Sequence, residues 1–388
     1  MEAASAALEG SETAEHARLL GLLAVELTFS GTLERRRTLL ERALAIARRC
    51  EPAALAAVGS YALQALNVPA TLNERQAIAT EALSAARSAG DAVLEFWCSY
   101  WQAGICLQGG DVCAAQASFG TACEIAQRLR QPTMLWAVTF YEAAHRIVLG
   151  DTAEADRLAT LALELGTASG QPDVLAVYSA QMGTIRRMQG RSGEVIGFIR
   201  EVAIAHPGIP AFANALAIFC VDLNRLEEAR DVLRPFLEEG APTFPMDLTW
   251  LFMASQRADI LAALQLTGQA AALYDVLLPY ADQFPFASAT GICQVNHYLG
   301  RLAATVGRHD VADRHYEAAA ASQEGMGAKW CTANTWLEWG HHFISRTDTP
   351  DPSRARHLLE QALEMSRLHG YGHVAETAAR LLEDLPPA

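Results

Sequence analysis

The sequence lacks most of what announces a catalytic or membrane-spanning protein. No uninterrupted apolar run approaches the ~18 residues that a bilayer span needs, and MEAASAALEGSE at the start has neither the basic nor the apolar region of a secretory leader. No HExxH, GxSxG or GxxxxGK[ST] string occurs, so metalloprotease, hydrolase-elbow and phosphate-loop chemistry have no carrier. The eight cysteines include no CxxC pair, and most lie in apolar segments where a free thiol acts as a small hydrophobe. That usage fits a reducing compartment. Charge is also thin: 19% of the 388 residues are charged, against about 25% in an ordinary globular chain. Lysine is reduced to Lys329, and the net charge is -14. Such a field repels polyanions, so nucleic acid is not an expected partner. The composition predicts a soluble, cytoplasmic chain with no cofactor and no membrane contact.

What is present is hydrocarbon, 51% of the residues, and no sustained period-2 alternation. That combination predicts helices. They repeat. Gly110, Gly150 and Gly190 are spaced by 40 residues and Gly268 and Gly307 by 39, while Gly31, Ala70 and Asn224 fill the remaining turn positions. Seven residues before each turn stands a small residue in most units (Ala24, Ala103, Ala143, Gly183, Ala217, Gly300), with Leu63 and Leu261 breaking the rule. Five and twelve residues after it come further small ones, and nine after it a bulky one such as Leu40, Phe119 or Tyr316. Small positions let two helices approach closely, and the large one fills the gap beside them.

The spacing predicts helical hairpins over 14–49, 52–88, 91–129, 132–168, 172–205, 210–239, 246–282, 288–323 and 329–368, closed by a capping helix over 372–384. Helix punctuation falls between them at Gly90-Asp91, Gln131-Pro132, Gln171-Pro172, Pro207-Gly208 and Phe284-Pro285. No Ser/Gly linker divides the array, so one domain over 1–388 is expected.

This small-residue code resembles the tetratricopeptide repeat, with GDTAEADRLATLAL at Gly150 to Leu163 similar to its second half. The lengthened period, and strings such as ARLLGLLAVELTFSGTLERRRTLLERALAIAR, HPGIPAFANALAI, LLPYADQF and HYLGRLAATVGRHDVADRHYEAA, resemble the C-terminal arms of bacterial signal-transduction ATPases. MalT-like and large LuxR-type regulators and cyclase-linked AAA proteins carry such arms. The resemblance covers nearly the whole chain. It implies an all-α fold, a right-handed α-solenoid of about nine hairpins, serving as a sensor or partner-binding arm. The ATPase and the DNA-binding tail of those regulators have no counterpart here, so the chain is read as an excised arm or a stand-alone relative.

Two features then mark a candidate site. Trp97, Tyr100 and Trp101 fall where the first helix of a repeat lines the concave surface, and Phe140, Tyr141, His297 and Tyr298 fall on equivalent places. Rigid aromatics there would supply contact area, although ordinary hairpin packing also uses such residues. The second feature is polarity at positions that outer hairpins keep apolar, as in Leu23/Leu27, Leu216/Cys220 and Ile260/Leu264. Central hairpins instead carry Gln102, then Glu142 and Arg146, then Arg186. A lone buried charge is costly, so these residues pair with one another or face water or a ligand. Glu142 and Arg146, four apart, can pair within one helix, and Arg186 is expected beside Arg146.

The plainer account is a structural ion-pair ladder; the sharper one is an arginine-bearing wall that recognises a carboxylate or phosphate. The ligand-binding residues expected are therefore Trp97, Tyr100, Trp101, Gln102, Phe140, Tyr141, Glu142, Arg146, Arg186 and His297. No metal site is expected, since Glu338 with His341-His342, and His369 with His373, do not assemble three or four converging ligands. The functional expectation is a non-catalytic, regulatory binding module for a small molecule, peptide or protein. An enzyme that uses Glu142 as acid or base, assisted by His145, Arg146 or Arg186, is the alternative, and a scaffold with no pocket is a third.

Overall fold

The structure is a computed structural model that describes residues 12–205, 210–237, 246–346 and 350–386. The described residues form nineteen α-helices and no strand, as the missing alternation predicts. In order they are α1 (Ala14–Glu26), α2 (Leu33–Ala47), α3 (Pro52–Ala65), α4 (Leu72–Ala89), α5 (Ala92–Gln108), α6 (Val112–Leu129) and α7 (Pro132–Leu149). Then follow α8 (Thr152–Ala168), α9 (Val174–Met188), α10 (Ile196–Ala205), α11 (Pro210–Asp222), α12 (Leu226–Leu233) and α13 (Trp250–Ala263). The last are α14 (Thr267–Leu277), α15 (Val295–Thr305), α16 (His309–Met326), α17 (Lys329–Ser345), α18 (Pro352–His369) and α19 (Gly372–Asp384). None of these helices is long and apolar enough to cross a membrane. The expected Pro207-Gly208 boundary, the end of the 210–239 hairpin and part of the turn of the 329–368 hairpin fall outside the described residues.

Gly-Asp pairs set several of the turns. Gly90, Gly110 and Gly150 end a helix with φ of 66°, 83° and 80°, a left-handed backbone that a Cβ disfavours. The aspartate that follows caps the next helix: Asp91 accepts from the backbone N–H of Val93 and Leu94, Asp111 from Ala114, and Asp151 from Glu154. Asn224 takes the same conformation at φ 55°. One turn differs from expectation. The left-handed residue of the α13–α14 turn is Gln265, φ 53°, three residues before Gly268. Counted from Gln265, the small residues seven before and five after are Ala258 and Ala270, both fully buried. Leu261 thus breaks no rule.

Adjacent helices pack in antiparallel succession, α1 on α2, α3 on α4, α5 on α6, α11 on α12, α15 on α16 and α17 on α18. Odd helices also pack on the next odd helix, as α1 on α3, α3 on α5, α15 on α17 and α17 on α19. The small-and-large code is visible in contacts: a Cβ placed on Gly300 of α15 would meet the Tyr316 ring of α16 at 2.8 Å. Gly340 of α17 meets Leu359 of α18 in the same way, at 2.9 Å.

The chain divides into two compact units, Met1–Val138 with Pro245–Leu251, and Thr139–Phe244 with Phe252–Ala388. The boundary falls inside α7 and α13, so no linker composition could have signalled it. The first unit has a core drawn from α1 to α5, including Leu20, Leu40, Val58, Leu63 and Ile105. Arg36 is fully buried and donates to the carbonyls of Ala65 and Met246. Arg37 meets Glu74 at 3.2 Å, as charge pattern suggests.

In the second unit the segment before α19 packs against the turns that follow α7 and α9. The Tyr371 hydroxyl donates to the Gly150 carbonyl at 2.9 Å, and Gly372 lies directly on the Gln189-Gly190 backbone. The segment before α15 also departs from expectation. A helix predicted from residue 288 begins only at Val295, and residues 284–294 form a largely buried, non-helical connection. Proline at 285 and glycine at 291 disfavour an early helix there.

Candidate functional site

The aromatic residues of α5 gather in the first unit. Phe96 and Tyr100, one turn apart, stack at 6.1 Å, and Trp97 stands edge-on to both, at 4.8 and 5.8 Å. Trp101 meets Tyr100 edge-on at 5.3 Å and packs on the main core of the unit. Phe96 and Tyr100 are buried while Trp97 and Trp101 are half-buried. Burial pushes the Tyr100 hydroxyl well above its ordinary pKa, so it stays neutral. Gln102 accepts from the Ser118 hydroxyl at 3.3 Å, a link between α5 and α6.

The remaining expected residues lie in the second unit. Phe140 and Tyr141 of α7 are buried; the Phe140 carbonyl accepts from Gln181 Nε2 at 2.7 Å, and the Tyr141 ring stands edge-on to Phe286 at 5.4 Å. Glu142 and Arg146 form the expected intrahelical pair, with both Nε and Nη2 at 2.8 Å from Glu142 Oε1. His145 Nδ1 lies 4.0 Å from the other carboxylate oxygen. Burial lowers the His145 pKa, with Glu142 opposing and Arg146 reinforcing the shift. Arg186, expected beside Arg146, is held by Asp156 of α8 at 2.5 Å and by Gln189 at 2.9 Å.

His297, expected among the ligand-binding residues, lies in the interior. It is fully buried, with Nδ1 2.9 Å from Thr335 Oγ1 and Nε2 3.4 Å from Asn334 Nδ2. Thr335 in turn donates to Gln323 at 2.9 Å. Because an amide N–H can only donate, Nε2 is the acceptor and Nδ1 carries the proton. Burial lowers the pKa to about 4, against the pull of Asp259 and together with Arg301. A helix-spacing argument places His297 on a face but cannot tell whether a neighbour covers it.

A connected charged network was missed. Five consecutive odd helices of the second unit each contribute one charged side chain to a connected network. Arg187 of α9 bonds Asp222 of α11 at 2.9 Å and Asp259 of α13 at 3.3 Å. Asp259 bonds Arg301 of α15 at 2.8 Å, and Arg301 reaches Glu338 of α17 at 3.4 Å. Asp259 is buried, which would raise its pKa, but Arg301 and Arg187 outweigh burial and hold it below the usual carboxylate range. Burial would lower the pKa values of Arg187 and Arg301, yet their carboxylate partners raise both. This is a true ladder, carried by Arg187 and not by its neighbour Arg186. Adjacent helical residues differ by about 100° in direction, so the run Arg186-Arg187 alone does not say which one turns inward.

Glu338 is thereby engaged by arginine, and His342 faces Asp313 at 3.8 Å; among the described residues no three metal-ligating side chains converge. Compared with known proteins, the chain matches no protein-family model and no curated relative. The tetratricopeptide resemblance therefore rests on the spacing of residues in the sequence.

Proposed function

We propose that the chain is a non-catalytic, TPR-like binding module, a right-handed α-solenoid of about nine hairpins with a closing helix, acting as a regulatory arm in the cytoplasm. Its partner is an extended peptide segment of basic or mixed charge. The observation that carries this reading is the α5 cluster, in which Phe96 and Tyr100 stand edge-on to the half-buried Trp97 and Trp101 backs Tyr100. A rigid aromatic offers contact area with little conformational entropy to lose. The net charge of -14 favours a basic or mixed partner. Support for the repeat reading comes from the left-handed turn residues and the Gly300–Tyr316 and Gly340–Leu359 approaches.

The polar residues that acid–base chemistry would need are occupied: Glu142 by Arg146, Arg186 by Asp156. The test is a synthetic peptide array graded from acidic to basic, with and without aromatic residues, probed with the labelled full chain and its Trp97→Ala variant. Retention of basic and mixed peptides, reduced about tenfold in the variant, is expected of a central aromatic contact. Indifference to charge, or equal retention by the variant, would overturn the proposal.

A further inference from the structure

The connection between α14 and α15 is a hairpin finger. Its backbone pairs antiparallel: the Asn296 N–H donates to Ala281 at 3.0 Å, Val295 to Gln283 at 3.0 Å, Ile292 to Pro285 at 3.2 Å and Ala287 to Thr290 at 2.9 Å. Its root is locked by side chains. Asn296 Nδ2 donates to Asp282 at 3.2 Å, and Gln294 Nε2 to Ser322 at 3.0 Å. Asn296 Oδ1 can only accept, so His315 Nδ1 donates to it at 2.8 Å, leaving Nε2 to accept the Tyr274 hydroxyl at 3.0 Å.

The tip reaches other helices altogether. Phe286 lies edge-on to Tyr141 of α7, and Thr290 donates to Thr184 of α9 at 2.9 Å. A Cβ on Gly291 would meet Val148 of α7 at 2.6 Å. Thr184 is one turn from Arg187, where the ionic ladder begins, so the finger lies against the odd-helix face beside that ladder. Tyr141, which the repeat pattern assigns to the ligand face, is covered by the chain's own Phe286.

We propose that the finger is an internal ligand. It occupies, in extended form and with an aromatic anchor, the place where an extended peptide carrying a phenylalanine would dock, and such a peptide gains access by displacing it. This goes beyond the Trp97 reading, since the finger lies in the second unit and its sequence carries no charged residue. Extended segments with alternate anchoring side chains are a recurrent form of peptide recognition, and an occupant tethered in cis outcompetes a free peptide through its effective concentration. Displacement would have to release the tip contacts of Phe286, Thr290 and Gly291 while the root bonds stay in place.

The test uses the full chain, its Thr290→Val and Gly291→Val variants, and a labelled synthetic peptide QFPFASATGI, the sequence of residues 283–292. Native-state amide exchange should be at least about tenfold faster at 285–292 than in the interiors of α15 and α16. Fluorescence anisotropy should show the peptide binding either variant at least about tenfold more tightly than the unaltered chain. Exchange at 285–292 as slow as in α15 and α16 would overturn the proposal. So would a Thr290→Val chain with unchanged helical circular dichroism and no gain in peptide affinity. Should Gly291→Val not fold, Thr290→Val and the exchange data decide alone. Retention of basic peptides through Trp97 with a slowly exchanging finger would leave the binding module standing and remove only the internal ligand.

Discussion

Asp259 and Glu142 are both carboxylates paired with arginine, but water reaches them unequally. The Glu142 and Arg146 side chains are 25% and 39% exposed, whereas Asp259 is 3% exposed and touches two arginines. Exposed pairs contribute about 0–1 kcal/mol; removing one partner of a buried network costs about 3–5 kcal/mol, because the remaining charges stay desolvated. Urea unfolding should therefore show Asp259→Ala destabilised by that larger amount and Glu142→Ala by less than about 1 kcal/mol.

The titration of buried histidines adds a pH dependence. His297 and His342 both have pKa values lowered to about 4, chiefly by burial. The unfolded chain binds their protons near the ordinary 6.5 while the folded chain does not, so stability falls as pH drops from about 6.5 to about 4. Asp259, held low, contributes stability above the ordinary aspartate range that is lost only at still lower pH, as its folded pKa is passed. Urea midpoints across pH 4 to 7 should slope downward toward acid, and His342→Gln should flatten that slope; an unchanged slope would remove His342 from the account. The Glu142–Arg146 pair was legible in the sequence because a helix brings residues four apart together. The ladder was not, since its bonded members are 35 to 72 residues apart and only packing decides which face turns inward.

Among elements, two glycines separate conformational freedom from close approach. Gly120 lies within α6 and a Cβ there would meet nothing within 4 Å. Gly120→Ala should stabilise the chain by about 0.5–1 kcal/mol, since alanine loses less backbone entropy in a helix. Gly372 begins α19, and a Cβ there would collide with the Gln189 carbonyl. Gly372→Ala should lose about 1–3 kcal/mol, the usual cost of overpacking, and loosen the contact of α19 with α9. Thermal melting of both variants checks the opposite signs. The hairpin turns were readable because a left-handed residue followed by an aspartate cap is a local signal. The α13–α14 turn misled because Gly268 attracts the eye while Gln265 adopts the conformation. The finger left no alternating pattern because its residues are buried by other helices and not by a sheet face.

At the scale of the whole molecule, helical character was the most legible property: composition and spacing lead to it, and every described regular element is a helix. The division into two units was not legible, because its boundaries pass through α7 and α13. In the binding reading proposed above, the half-buried Trp97, edge-on to Phe96 and Tyr100, is the group offered to a partner. The most direct test titrates the best-retained basic peptide from the array against the full chain and Trp97→Ala by fluorescence anisotropy, at low and at high salt. A binding module with a net charge of -14 should bind it, more weakly as salt screens the attraction, and Trp97→Ala should weaken it about tenfold. Equal affinity for the two proteins, or affinity that does not change with salt, would contradict the account.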